Sequence, residues 1–249
     1  MSDVIYRDGH HYDRINEDYN MDIEFYTEEC LNNGPNVLEV ACGTGRLTLP
    51  IAKSGINITG IDLSDGMLEQ ARKKSQKAGL DINFHKCDAR DFELNKKFDF
   101  IFIPFNSICH IYSGEDIYRF FNSIKKHLKD DGLFLIDVFN PAMEYLTRDS
   151  RKRFPVCEYT DPYSGDHVKV EETNFYDKES QINKVKWHFI YEDMTKNRTE
   201  PLNMRMYYPQ ELDNYLKFNG FKIIKKYGDF DKSEFCSQAP KQLIFCKKL

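Results

Sequence analysis

Hydrophobic and polar positions change their rhythm twice along the chain. Near the N-terminus Ile15, Tyr19, Ile23, Tyr26 and Cys30 recur at steps of three and four, which predicts one amphipathic helix over residues 12–31. From Val37 to Phe139, strand-like runs alternate with helical ones. The predicted strands cover 37–40, 56–62, 82–86, 98–105 and 133–139; helices are predicted from Arg46 onward, over 65–78 and over 115–128. Such alternation builds parallel strands joined by crossover helices. The runs FDFIFIPF and GLFLIDVF are nearly apolar throughout, as expected of strands covered on both faces.

The second change comes after Phe139. Between Val156 and Tyr208 the runs VKVEETNFY, KVKWHFIYED and LNMRMYY alternate residue by residue, separated by turn signals such as Tyr163-Ser164-Gly165-Asp166. They predict an added antiparallel sheet. Pro209, Gln210 and Glu211 then open a helix whose apolar face is read as Leu212, Tyr215, Leu216 and Phe218, and which Gly220 ends. Two strands, 221–227 and 243–247, close the chain. The expected architecture is an α/β, doubly wound, mostly parallel sheet formed by 1–139 and 209–249. Residues 140–208 form an inserted antiparallel sheet. Tyr159, Tyr163, Phe175, Tyr176, Trp187, Phe189 and Tyr191 make this insert aromatic, and it is expected to cover the crevice and shape an acceptor site.

Composition narrows the chemistry. With 249 residues and 41% hydrophobic positions the chain can build a sizeable core. Its net charge of −5 and the lack of any Lys or Arg run flanked by aromatic residues disfavour nucleic acid as a main partner. No signal peptide and no apolar run of about 18 residues is visible, so a cytoplasmic protein without a membrane anchor is expected. The seven cysteines form no C-x-x-C pair and are read as buried reduced thiols; the seven histidines form no H-E-x-x-H pairing, so no metal is expected. A small-molecule acceptor is the expected partner, with the chain a monomer or a homodimer.

The candidate chemistry sits where strands end. The first strand stops at Glu39 and runs into Ala41-Cys42-Gly43-Thr44-Gly45, a small-residue turn that lets a ligand approach the backbone, with free amides at the helix that follows. The next strand ends in Asp62, an acidic side chain suited to accept hydrogen bonds from both ribose hydroxyls of a nucleoside. The third leads to Asp88 in KCDARDF, suited to accept a hydrogen bond from an adenine amino group. Parallel strands bring these three ends to one crevice. A dinucleotide fingerprint would place a further glycine after Gly45, at a spacing where the small-residue positions here are Ala41, Gly43 and Gly45 and the next residue is Arg46; this disfavours NAD and a nicotinamide-dependent oxidoreductase.

These segments resemble the class I S-adenosylmethionine-dependent methyltransferases. LEVACGTG is similar to their first motif with alanine in place of the first glycine, GIDLSDGML to the second, CDARDF to the third and FDFIFIPFNSI to the fourth; YYPQELDNYLKFNGF and the two final strands resemble the family's usual ending. The resemblance implies a Rossmann-like seven-stranded sheet whose last strand is antiparallel. It also implies S-adenosylmethionine as cofactor, leaving as S-adenosylhomocysteine. Ala41, Cys42, Gly43, Gly45 and Arg46 would lie beside its methionine portion, Glu39 near its ammonium and Asp62 on the ribose. Leu63 and Met67 would face the adenine, Asp88 and the Ala89 amide its edge, with Arg90 beside them, and Pro104 or Phe105 would lie near the sulfonium.

Methyl transfer from a sulfonium needs alignment for in-line displacement and at most the removal of a proton. His110, in PFNSICHI beyond the fourth strand, is the candidate base. Tyr12 and Tyr19, in HYDRINEDY, are placed on a helix lying over the cofactor, Tyr12 as a substrate or cofactor contact. Similar placements of an N-terminal YD tyrosine and of a histidine occur in small-molecule N-methyltransferases, including those that dimethylate amino sugars on nucleotides. No N-P-P-Y or D-P-P-Y follows the fourth strand, which disfavours methylation of DNA bases or protein glutamine. Nitrogen is therefore expected ahead of oxygen as acceptor. The alternative from another class is a regulatory or scaffolding module that binds the cofactor without catalysis.

Overall fold

The computed structural model describes residues 6–249. Seven strands form the main sheet: β1 (Asn36–Val40), β2 (Asn57–Asp62), β3 (Asn83–Lys86), β4 (Phe98–Ile103), β5 (Leu128–Phe139), β10 (Phe221–Tyr227) and β11 (Lys241–Lys248). Their order is β10-β11-β5-β4-β1-β2-β3. Strands β1 to β5 pair in parallel, as the alternating pattern predicts, and β11 runs antiparallel to both β5 and β10, as the family resemblance implies. Strand order reverses beside β1, between β4 and β2, and that reversal opens a crevice at the carboxyl ends of the strands.

The apolar run of β4 shows why this sheet is buried on both faces. Phe98, Ile101 and Ile103 pack into one core with Phe120, Phe121 and Ile124 of α5 (Gly114–His127). Phe100 and Phe102 point into the other, with Phe25 and Tyr26 of α2 (Ile23–Asn33). All of these side chains are buried. Two further helices follow strands of the parallel part: α3 (Thr48–Lys53) follows β1, and α4 (Asp65–Lys77), capped by the Ser64 hydroxyl, follows β2.

The N-terminal helix departs from expectation. Two helices replace one: α1 (Gly9–Ile15) ends at Asn16, whose side-chain amide donates to the Tyr12 carbonyl, and α2 starts only at Ile23. Tyr19 therefore lies between helices. The cause is tertiary: Asp22, fully buried, takes both Arg46 guanidinium nitrogens at 2.6 and 2.7 Å, and that pair fixes the chain between the two helices.

After β5 a short helix, α6 (Met143–Leu146), leads into an antiparallel sheet of four strands in the order β6-β7-β8-β9: β6 (Phe154–Thr160), β7 (His167–Asp177), β8 (Ile182–Tyr191) and β9 (Arg198–Arg205). Strand β6 was not among the three predicted runs, because Pro155 interrupts its alternation; a proline is tolerated there because β6 is an edge strand with a register shift at that point. Its Tyr159 joins Val168, Val170, Phe189 and Tyr191 in a small core against Ile15 of α1. Helix α7 (Pro209–Phe218) buries Leu212 and Leu216, while Phe218 is 80% exposed. Position 218 lies two residues past Leu216, on the far side of the helix. Of the seven free cysteines, Cys236 is exposed and Cys87 and Cys157 are half-buried, so burial holds for the other four.

Candidate active site

The turn after β1 takes its shape from its backbone. Ala41, Gly43 and Gly45 all have left-handed φ values of +59°, +55° and +78°. The conformation costs glycine nothing and alanine about 1 kcal/mol. A Cβ on Gly43 would meet no atom within 4 Å, so this residue presents bare backbone to open space. On Gly45 a Cβ would meet Leu49 at 2.4 Å, so Gly45 serves the packing of the turn. The Cys42 amide donates to the Ile61 carbonyl at 2.9 Å, seating the turn beside β2, where Gly60 leaves room for the Cys42 thiol.

A cavity of about 250 Å³ opens where these strand ends meet. From the sequence-predicted residues it is lined by Glu39, Ala41, Cys42, Gly43, Arg46 and Asp62, by Leu63 and Met67, by Asp88, Ala89 and Arg90, by Pro104 and Phe105, and by His110 and Tyr12. Tyr19 and Gly45 do not line it. Tyr19 instead stacks edge-on against Phe105, and the Arg46 guanidinium sits 5.0 Å from the centre of each of those two rings. Arg46 is thus clamped by Asp22 and two aromatic rings before any ligand reaches it.

The carboxylates differ in environment. Burial pushes the Glu39 carboxyl up to about 8, although the Thr48 hydroxyl donates to it. Burial also raises Asp62, offset by amide donors: Gly43 N–H to its Oδ2 at 2.9 Å and Ser64 N–H to its Oδ1 at 2.8 Å. Asp88 goes the other way. The Arg90 guanidinium grips both its oxygens, at 2.9 and 2.6 Å, and holds it below the usual carboxylate range. Arg90 also reaches Asp116 at 3.2 Å, so much of the acceptor capacity expected of Asp88 already has a partner.

The fourth strand ends at Ile103, two residues earlier than predicted, and Phe105 and Asn106 turn sharply with φ of +54° and +61°. A 3₁₀ turn, Ser107–His110, then brings His110 to the cavity, its Nε2 3.1 Å from the Tyr6 hydroxyl and its ring edge-on to the Tyr6 ring at 5.3 Å. Helix α1 carries Tyr12 across the crevice. Asp13 ties it down, accepting from Thr44 of the turn at 2.6 Å and from Lys74 of α4 at 2.9 Å. Burial pushes the Tyr12 phenol up to about 12.

A model of the methyltransferase domain matches residues 37–132, which hold all four strand-end motifs. The structure superposes on a S-adenosylmethionine-dependent methyltransferase from Clostridium acetobutylicum with a TM-score of 0.78, covering 96% of each chain at 24% identity. Residues 37–132 are a methyltransferase domain. Two curated relatives differ in the acceptor atom their names give. A ubiquinone biosynthesis O-methyltransferase from Actinobacillus pleuropneumoniae is 33% identical over 117 residues, 45% of this chain and 48% of that protein. A dTDP-3-amino-3,4,6-trideoxy-alpha-D-glucopyranose N,N-dimethyltransferase from Streptomyces venezuelae is 32% identical over 102 residues, 41% of each. The chain spans less than half the length of these two curated relatives.

The four-stranded sheet expected to cover the crevice gives the cavity no wall residue. It acts from behind: Tyr159 pairs its hydroxyl with His11 Nδ1 at 3.0 Å, next to Tyr12, and the Asn203 carbonyl accepts from Tyr112 at 3.0 Å, two residues past His110. Sequence reasoning missed the lining residues Tyr6, Ser107, Tyr112 and Asp116. Ser107 and Tyr112 flank His110 in FNSICHIY and were within reach; Tyr6 and Asp116 carry no local signal, since only tertiary packing brings them there. S-adenosylmethionine fits what is present: bare backbone at Gly43, a half-buried carboxylate at Asp62 and apolar side chains at Leu63 and Met67 face one chamber. Among the described residues no group of His, Cys, Asp or Glu is arranged to hold a metal, and no helix is long and apolar enough to cross a membrane.

Proposed function

We propose that this chain transfers a methyl group from S-adenosylmethionine to a nitrogen atom of a small-molecule acceptor. The observation that carries the reading is the shared cavity: the turn at Ala41–Gly43, Asp62 and Asp88 line the same chamber as Tyr12 and His110. The cofactor, when bound, supplies an already activated methyl group, so the protein's work is alignment and proton handling. The Gly43 region would hold the methionine portion, Asp62 the ribose, and Leu63, Met67, Asp88 and Ala89 the adenine. Glu39 would face the ammonium. Helix α1 and the residues behind it exclude water from the reacting end.

His110 is the candidate base. Its Nε2 shares a hydrogen bond with the Tyr6 hydroxyl, which orients the ring and gives a proton removed from an amine a path along the pair. Tyr6 and Tyr12 lie with ring centres 6.2 Å apart beside it, and aromatic faces favour the cation that a methylated amine becomes. The N,N-dimethyltransferase relative supports the same choice. Oxygen is the second reading, supported by the O-methyltransferase relative. Residues 140–208 act in this scheme as a brace for α1 and Tyr112.

Transfer of a labelled methyl group to a panel of amines, amino sugars and phenolic acids tests the reading. Transfer to amines, reduced about 100-fold in kcat by His110→Ala, is the expected result. Transfer only to phenolic acids would select oxygen. Intact cofactor binding with no transfer to any acceptor would select the non-catalytic module.

A further inference from the structure

The cavity wall after β4 rests on two successive left-handed residues, Phe105 and Asn106, neither of which is glycine. Such a turn persists only where its surroundings over-determine it. The groups that do so converge on Asp137 of β5, the neighbour of β4 in the sheet. Its side chain is fully buried and does not line the cavity. Its Oδ2 accepts from the Phe105 amide at 3.0 Å and from the Tyr26 hydroxyl at 3.1 Å, and its Oδ1 accepts from Lys241 at 2.9 Å. Its main-chain carbonyl accepts from the Asn106 amide at 3.2 Å. Asn106 completes the lock: its Oδ1 accepts from the Phe139 amide at 2.7 Å, and its carbonyl accepts from the Cys109 amide at 2.9 Å, inside the turn that delivers His110.

We propose that Asp137 is a positioning residue for methyl transfer, holding the Phe105–Asn106 turn so that Phe105, Ser107 and His110 face the reacting atoms. The proposal rests on the function given above for this cavity. The carboxylate is suited to the task because one oxygen serves the turn and α2 while the other is neutralised by Lys241 from β11, so a buried charge stays paired. An amide in its place cannot do both. If its oxygen faces Phe105 N–H, its NH₂ faces the Lys241 ammonium; if reversed, the NH₂ faces Phe105 N–H. Adding Lys241→Gln to Asp137→Asn relieves that conflict, since the two new amides can pair with each other and leave one oxygen for the turn.

The test uses the full chain at a temperature well below each variant's Tm, with an acceptor found in the methyl-transfer screen. Asp137→Asn is expected to lower kcat about 30-fold while the Kd for S-adenosylhomocysteine changes less than about threefold, and the double variant is expected to recover at least about fivefold of the lost kcat. The His110 imidazole resonance, assigned by its absence in His110→Ala, should shift in Asp137→Asn and return toward wild type in the double variant. An unchanged kcat, or equal losses of kcat and affinity without rescue, overturns the proposal. If the wild type binds S-adenosylhomocysteine but methylates nothing, the functional reading fails and the imidazole resonance alone decides whether Asp137 holds the turn. Should Asp137→Asn not fold, Asn106→Ala carries the test: kcat falls at least about fivefold at unchanged affinity, and an unchanged kcat overturns the proposal.

Discussion

The seven-stranded and four-stranded sheets both bury apolar faces, yet only one of them lines the cavity. In the parallel part of the larger sheet the carboxyl ends of β1, β2 and β4 point the same way, so the loops after them meet in one crevice. In the four-stranded antiparallel sheet, successive ends lie at opposite edges, and no single edge collects its loops. The consequence is a division of labour: Glu39, Asp62 and His110 face the cavity directly, while Tyr159 and the Asn203 carbonyl act through His11 and Tyr112.

The comparison can be broken first at the level of stability. Phe100→Ala should cost about 4 kcal/mol in urea unfolding, because the ring is fully buried between layers; Val170→Ala, in the smaller core of the four-stranded sheet, should cost about half of that. Equal costs would mean that the smaller sheet is as integral to the fold as the larger. A second substitution acts on the site. Gly43→Val places a branched side chain in a left-handed position facing the cavity and should weaken S-adenosylhomocysteine binding at least about 30-fold, or about 2 kcal/mol, by calorimetry.

The third expected effect is a pH dependence. In the free protein Glu39 is held near 8 by burial and is largely protonated at neutral pH. A ligand ammonium beside it favours the carboxylate and lowers that value, so binding releases a proton. Affinity should therefore rise from pH 6 to 8, by at most about tenfold per unit, and binding heats at pH 7 should vary with the ionisation enthalpy of the buffer. Heats independent of the buffer would remove Glu39 from the ammonium site. The smallest effect belongs to the brace: Tyr159→Phe loses only the hydroxyl paired with His11, and should raise the acceptor KM a few-fold, about 0.5–1 kcal/mol, without changing cofactor affinity.

What was legible in the sequence follows the same division. Strand ends were readable because a loop that meets a ligand needs small or acidic residues at set places, as Gly43 and Asp62 are. The break between α1 and α2 was not, because the apolar period continues through Tyr19 and only the distant Arg46 draws Asp22 out of a continuous helix. The left-handed turn at Phe105 and Asn106 was largely hidden: asparagine tolerates that conformation but phenylalanine does not signal it, and the groups that hold it come from α2, β5 and β11. Phe218 shows the opposite error, a hydrophobic residue assigned to a helix face that its spacing does not reach.

The most direct test of the central claim is calorimetric titration of S-adenosylmethionine, S-adenosylhomocysteine and NADH into the wild type and into Asp62→Ala. Micromolar binding of both adenosyl ligands, no binding of NADH, and a loss of at least about tenfold, or about 1.4 kcal/mol, on removing the Asp62 carboxylate are the predicted results. Binding of NADH alone, or adenosyl binding indifferent to Asp62, would contradict the assignment of this cavity.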